Sequence, residues 1–290
     1  MKRRIKREMA LALAIAVLLA TRGSLAEGGL PIDLSGGRAP LASGFDGWTY
    51  EDPTIRVEIT QGRAQDCDYW VADIRLRDAS QLRTAPADTF ESDMRVSGEA
   101  MAKRVNAVLA INGDFFCYTG IGYILRQGVT YLNVLWGNRD VLLIDEDGDF
   151  HTVPLAGKGS IDGTVDGKRI INAFFFGPIL VQDGRRVTYI TGDGMAENEP
   201  RQRMAIAQAG PLHYKCICCA THARGSAGMT LVQFANLVAR QQVQTAYNLD
   251  GGKSCMMIFN GTKINDPENP DTRDLCDIIY FASAREEGQP

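Results

Sequence analysis

Two short apolar runs that break off into polar, glycine-bearing clusters constrain this chain more than any other feature. Ala246-Tyr247-Asn248-Leu249 delivers Asp250-Gly251-Gly252-Lys253-Ser254-Cys255, and Ala107-Val108-Leu109-Ala110-Ile111 delivers Asn112-Gly113-Asp114-Phe115-Phe116. Runs this apolar read as the ends of buried strands. A carboxylate, glycines and a hydroxyl that follow with no spacer have to leave the core at once, because unpaired polar groups are costly to bury. Strand exits of this kind place chemistry at the rim of a cleft. The expectation is therefore that Asp114 and Asp250 face one pocket.

The surrounding pattern sets the fold class. Residues 55–59 and 69–76 alternate apolar and polar, as half-buried antiparallel strands do. Ser97 can cap a helix over residues 97–106, with Met101 and Val105 one turn apart. Short strands are expected around Ile124, Tyr131, 141–144, 150–153, 179–182, 187–190, 204–208, 214–220, 256–259 and 278–282, with hairpin turns at Asp147-Gly148, Asp183-Gly184 and Asn260-Gly261. Thr230 and Gln233 make a capping box for a helix whose Leu231, Phe234, Ala235 and Val238 form one apolar stripe. Many short strands with a few packed helices predict an α+β domain on a mixed or antiparallel sheet, a single domain over residues 45–286.

Ahead of it, Lys2, Arg3, Arg4, Lys6 and Arg7 precede an apolar run at residues 9–20, and Ser24-Leu25-Ala26 supplies small residues at a cleavage site. This is the pattern of a signal peptide over 1–26, so the chain is expected to be secreted or cell-envelope associated. A spanning helix needs about 20 apolar residues, so no stable membrane span is expected. Residues 27–44, with Pro31 and Pro40, read as a flexible leader. The formal net charge is −4 and becomes more negative once the basic N-terminus is removed, which disfavours nucleic acid as a partner. Nothing in the pattern fixes the oligomeric state. All seven cysteines follow the cleavage site, and an odd number leaves at least one without an intramolecular partner. If 214–220 is a strand, Cys216 and Cys218 share one face and Cys219 takes the other, so these thiols do not converge on zinc with His213 or His222.

Ala110-Ile111-Asn112-Gly113-Asp114-Phe115-Phe116, Phe176-Gly177-Pro178-Ile179-Leu180-Val181, Arg203-Met204-Ala205-Ile206, Gly228-Met229-Thr230-Leu231 and Asn248-Leu249-Asp250-Gly251-Gly252-Lys253-Ser254 resemble, in order, the blocks of the phosphodiester glycosidases. The resemblance covers roughly residues 50–284. It implies a hydrolase that cleaves the glycosidic bond of a sugar-1-phosphodiester of the N-acetylglucosamine-1-phosphate type, with cell-envelope or exopolysaccharide glycans as the substrate class. The chain departs from the family pattern at Lys253, at Ala207 and at Ala220-Thr221-His222. A non-catalytic glycan-binding or envelope-associated domain on the same fold is the alternative.

The residue chemistry agrees with that implication. Splitting a glycosidic bond is commonly done by two carboxylates about 5–10 Å apart, here Asp114 and Asp250. Arg203 would neutralise the departing phosphate bidentately. Gly113, Gly251 and Gly252 would let backbone N–H groups approach phosphate or sugar oxygens, and Asn112, Asn248 and Ser254 would hydrogen-bond them, with Phe115 beside the site. The same residues also suit plain turns at strand ends, and Arg203 a buried ion pair. His151, Asp274 and Asp277 read as surface or polar-loop residues. Asp114, Asp250, Asn112 and Asn248 are oxygen donors that would suit Ca²⁺, but no EF-hand loop or His-rich zinc motif is present, so no metal is assigned.

Overall fold

Alternation decides the first hairpin: Ile55, Val57 and Ile59 turn inward while Arg56, Glu58 and Thr60 face solvent. In the computed structural model, which describes residues 35–156, 160–188 and 197–285, this hairpin opens a nine-stranded sheet. Its strands run in the order Phe45–Asp46, Thr49–Glu51, Ile55–Ala64, Cys67–Leu76, His213–Cys219, Met204–Gly210, Thr245–Leu249, Ile179–Gln182 and Arg185–Arg186. A five-stranded sheet runs Thr262–Lys263, Met257–Phe259, Ala107–Asn112, Asp277–Ala282 and Leu82–Pro86. The third sheet runs Phe150–Val153, Val141–Asp145, Lys168–Phe174, Gly122–Arg126 and Val129–Val134, with Thr164–Val165 paired to Lys168–Phe174.

All three sheets contribute to one core. Ile206, Tyr247 and Leu249 of the first meet Ile111, Met257 and Phe281 of the second and Leu142, Ile144 and Phe174 of the third. Two helices cover outer faces. Helix α1 (Gly98–Arg104), capped by Ser97, lays Met101 and Ala102 over Ala110, Ile258 and Tyr280 of the five-stranded sheet. Helix α2 (Leu231–Ala239) lays Leu231, Phe234, Ala235 and Val238 over Ala205, Ala207 and Ala246 of the nine-stranded sheet. Its capping box forms as expected, Gln233 N–H donating to Thr230 Oγ1 at 3.2 Å and Thr230 N–H to Gln233 Oε1 at 2.9 Å.

Several details differ from the sequence reading. Every strand pairing among the described residues is antiparallel, and strand dominates the α+β mixture. The strand expected at 187–190 is instead Arg185–Arg186, directly after the Asp183-Gly184 turn, and positions 189–190 lie outside the described residues. The expected signal peptide and the first part of the leader also lie outside them. The remainder of the leader is tied to the domain: Gly37 N–H donates to the Val105 carbonyl at 2.8 Å, and Arg38 bridges to Ser283. Asp277, read as a loop residue, is fully buried and begins the strand Asp277–Ala282.

The cysteines follow the period-two argument. Cys216 and Cys218 point into the shared core and Cys219 lies under α2. A disulfide joins Cys117 to Cys276, while Cys67, Cys216, Cys218, Cys219 and Cys255 are buried and free. No helix among the described residues is long and apolar enough to cross a membrane.

Candidate active site

The two strand exits named in the sequence lie on different sheets, and side-chain amides tie them together. Asn112 ends Ala107–Asn112, is only 1% exposed, and donates from Nδ2 to the backbone carbonyl of Asp250 at 2.8 Å. Its Oδ1 accepts from Met256 N–H at 3.2 Å, so the whole amide is spent on the chain around Asp250. On the other side, Asn248 Nδ2 donates to the Gly177 carbonyl at 2.7 Å, and two residues earlier Phe175 N–H donates to Asp114 Oδ2 at 2.7 Å. Asn112 thus ties the chain at Asp250 to the five-stranded sheet, while Asp114 and Asn248 both hold the segment 175–177.

Asp250 is 9% exposed. Burial raises its carboxyl pKa, and the Ser254 hydroxyl and the guanidinium of Arg273 pull it partly back. Arg273 Nη2 lies 2.7 Å from Asp250 Oδ2 and Arg273 Nε 2.5 Å from Ser254 Oγ, while Asp250 Oδ1 accepts from Gly251 N–H at 2.9 Å. The arginine is 40% exposed at its side chain, so its outer edge reaches solvent.

The glycines make close chain packing feasible. A Cβ on Gly251 would sit 2.4 Å from the Gln202 carbonyl oxygen, and Gly252 N–H donates to that same oxygen at 3.0 Å with φ at +56°. Gln202 is in turn held by Asp266, to which its Nε2 donates at 2.6 Å, and by Asn269 Nδ2 at 3.1 Å. Gly113 N–H donates to the Asp277 carbonyl at 3.1 Å, and a Cβ there would lie 2.3 Å from Asp277 Oδ1. The N–H groups expected to face a phosphate are therefore given to protein oxygens.

Beneath Asp114 lies a buried charge cluster. Arg126 is fully buried, with Nε 3.0 Å from Asp277 Oδ2, Nη2 3.8 Å from Asp114 Oδ2, and the guanidinium carbon 4.2 Å from the Phe174 ring centroid. Asp277 Oδ1 accepts from Asp114 N–H at 2.9 Å. Burial pushes the Asp277 carboxyl up to about 6, with the Asp114 charge adding to the rise and Arg126 opposing it. Phe115 packs edge-on against Phe176 at 4.9 Å, with the Arg139 guanidinium 4.9 Å from its ring centroid.

Arg203 immediately precedes Met204–Gly210, the strand paired with Thr245–Leu249 ahead of Asp250, but turns its guanidinium onto backbone carbonyls, Nη2 donating to Glu199 at 2.9 Å and Nε to Met229 at 3.3 Å. The cation on Asp250 is Arg273; neither it nor Arg126, Gln202 or Asp266 carries a local motif in the sequence. The donors considered for Ca²⁺ are largely engaged: Asn112, Asp114 and Asp250 oxygens accept N–H groups, whereas Asn248 Oδ1 is buried with no hydrogen-bond partner among the described residues. Elsewhere, Asp145, Asp147 and Asp149 bring carboxylate oxygens together, and Lys168 Nζ sits among them at 3.4, 2.9 and 3.4 Å. His151 belongs to that cluster, its Nε2 lying 2.9 Å from Asp145 Oδ2.

Among solved structures, the catalytic domain of zebrafish N-acetylglucosamine-1-phosphodiester alpha-N-acetylglucosaminidase, auto-inhibited by its pro-peptide, is similar in fold. The TM-score is 0.62 at 18% identity, covering 85% of this chain and 87% of that one. A putative exported protein from Burkholderia pseudomallei K96243 gives a TM-score of 0.51 at 13% identity, covering 77% of this chain and 75% of that one. In sequence, the SPbeta prophage-derived uncharacterized protein YomE of Bacillus subtilis (strain 168) is 22% identical over 250 residues, covering 79% of this chain. The chain spans 38% of that relative's length. The family model for phosphodiester glycosidases matches residues 105–282, a stretch that carries Asn112, Asp114, Arg126, Asp250, Arg273 and Asp277. The chain belongs to the phosphodiester glycosidase family.

Proposed function

We propose that this protein hydrolyses the glycosidic bond of a sugar-1-phosphodiester, of the N-acetylglucosamine-1-phosphate type, in exported or cell-envelope glycans. The observation that carries the reading is the buried Asp250 carboxylate, raised in pKa by burial and pinned 2.7 Å from a half-exposed arginine. Such a carboxylate suits proton transfer, and the arginine beside it suits a phosphate leaving group. In this reading the outer edge of Arg273 binds the phosphodiester. Water attacks the anomeric carbon, its proton passes to Asp250, and the bond from that carbon to the phosphate oxygen breaks. The products are the free sugar and a phosphomonoester. Asp114, on the other strand exit, faces the positive charge that develops on the sugar ring. Export is supported by the N-terminal pattern and by the Cys117–Cys276 disulfide, a bond that persists in oxidising compartments.

The test is release of free sugar from an N-acetylglucosamine-1-phosphodiester by the purified protein. Asp250→Asn should lower kcat by roughly 10²–10⁴, the range for a positioned acid or base. Val232→Ala, on the exposed side of α2, should leave kcat unchanged. In ¹⁸O-water the label should appear in the sugar. Label in the phosphate would mean cleavage at phosphorus and would overturn the assignment.

A further inference from the structure

Outward from Arg273 the chain builds a second cationic position that hydrolysis of one phosphodiester does not require. The Tyr118 ring is within cation–π range of two arginines, its centroid 5.0 Å from the guanidinium carbon of Arg273 and 4.4 Å from that of Arg95. The two guanidiniums are therefore no further apart than the sum of those distances, a span that suits successive charged groups of one ligand.

Three remote segments are fastened to hold this arrangement. Val96 and Leu275 exchange backbone hydrogen bonds at 3.1 and 2.9 Å, which sets Arg95 alongside the segment that carries Arg273. The Cys117–Cys276 disulfide joins the neighbour of Tyr118 to the same segment. Phe116 packs into a buried cluster with Phe90 and Cys276. Tyr118 is nevertheless 41% exposed. A large aromatic anchored by a disulfide and a strand bridge yet left open to solvent is a fixed platform.

The charge of Arg95 is unspent. Arg95 makes one hydrogen bond among the described residues, from Nε to the Asp93 carbonyl at 3.4 Å, and has no carboxylate in salt-bridge range. Asp271, two residues before Arg273, is paired with Lys253 at 3.1 Å. The Tyr118 hydroxyl also has no hydrogen-bond partner among the described residues. A guanidinium held over an aromatic ring keeps its in-plane N–H donors free for an oxyanion.

We infer that Arg95, with the Tyr118 hydroxyl, forms a subsite for a second oxyanion on the aglycone side of the scissile phosphodiester. The substrate class is then an anionic glycan whose next phosphate or carboxylate rests on Arg95 while the scissile phosphodiester rests on Arg273. This rests on the hydrolase reading above. Arg95 acts through binding alone, so it sets KM and leaves the chemical step untouched.

The experiment compares three N-acetylglucosamine-1-phosphodiesters whose aglycones are neutral, carboxylated or phosphorylated. The native protein should show a KM about tenfold lower for the charged aglycones, the scale of one charge-assisted hydrogen bond. Arg95→Gln should remove that difference by raising KM for the charged pair, with kcat and the neutral substrate unaffected. The relative KM of the two charged aglycones tells phosphate from carboxylate. Equal effects of Arg95→Gln on all three substrates, or no preference in the native protein, overturn the subsite. If no substrate is turned over, the hydrolase reading has failed, and calorimetry with tripolyphosphate then decides the subsite by itself. Binding that weakens in Arg95→Gln supports it, and binding that is absent or unchanged refutes it.

Discussion

Replacing Arg126 by methionine would test whether the buried charge cluster under Asp114 holds the site together. Arg126 is the cation beside two buried carboxylates, 3.0 Å from Asp277 and 3.8 Å from Asp114. Methionine keeps an unbranched apolar stem while removing the guanidinium with its charge and donors. Breaking a buried pair by deleting one partner costs about 3–5 kcal/mol, which for a domain of this size corresponds to a fall in Tm of roughly 10 °C. The loss should depend on pH. A carboxyl raised to about 6 in the fold, against 3.8 ordinarily, holds its proton more tightly folded than unfolded. Its contribution to stability is therefore complete below the unfolded value and is lost as pH climbs through about 6. Without Arg126 the Asp277 pKa climbs further, so the variant should be hurt most near pH 8 and least near pH 5, where a proton substitutes for the lost charge. Circular-dichroism melts at those two pH values measure this. Adding Asp277→Asn should restore part of the loss at the higher pH, because the uncompensated charge is gone. A Tm change under about 2 °C, or an equal change at both pH values, would refute the reasoning.

Gly251→Ala should cut activity and lower Tm together, because its Cβ would sit 2.4 Å from a backbone oxygen that cannot swing away; a fully active variant with native Tm would contradict this. Arg273→Lys should keep the charge but lose the paired contacts to Asp250 and Ser254, so kcat/KM should fall about tenfold or more, and Arg273→Ala further, in steady-state assays. Asp266→Asn should flatten the acid limb of the stability profile. Burial raises the Asp266 pKa, but N–H groups of Thr221, Ala223 and His222 outweigh it and leave the carboxyl below its ordinary 3.8. The stability it gives is present above that value and lost as pH falls below it, which acid titration of the variant against the native protein would reveal.

Much of this was legible where the determinants are local. The period of two separated Cys216 and Cys218 from Cys219, Thr230 and Gln233 marked the start of α2, and the apolar runs into Asn112 and Asp250 marked the exits that Asn112 joins. What escaped depends on partners far along the chain. Asp277 reads as a loop residue because a carboxylate stands just ahead of the apolar run 278–282 and soon after the polar stretch 271–274, and its burial rests on Arg126, separated from it by 151 positions. Arg273 looked like one charge among several in a polar, proline-containing loop, and only folding brings it to Asp250, 23 positions upstream. Arg203 stood next to a recognisable strand and drew attention for that reason, although its guanidinium is committed to the carbonyls of Glu199 and Met229.

The amide of Asn112 has a further consequence for anyone altering this protein. Because one side chain clasps both the Asp250 carbonyl and the Met256 N–H, neither strand end can shift without tearing the other. A floor clamped in that way cannot be retuned piecemeal, and substitutions there trade selectivity for collapse. New preferences belong at the outer wall, where Arg95 and Tyr118 can be exchanged while the clasp below stays shut.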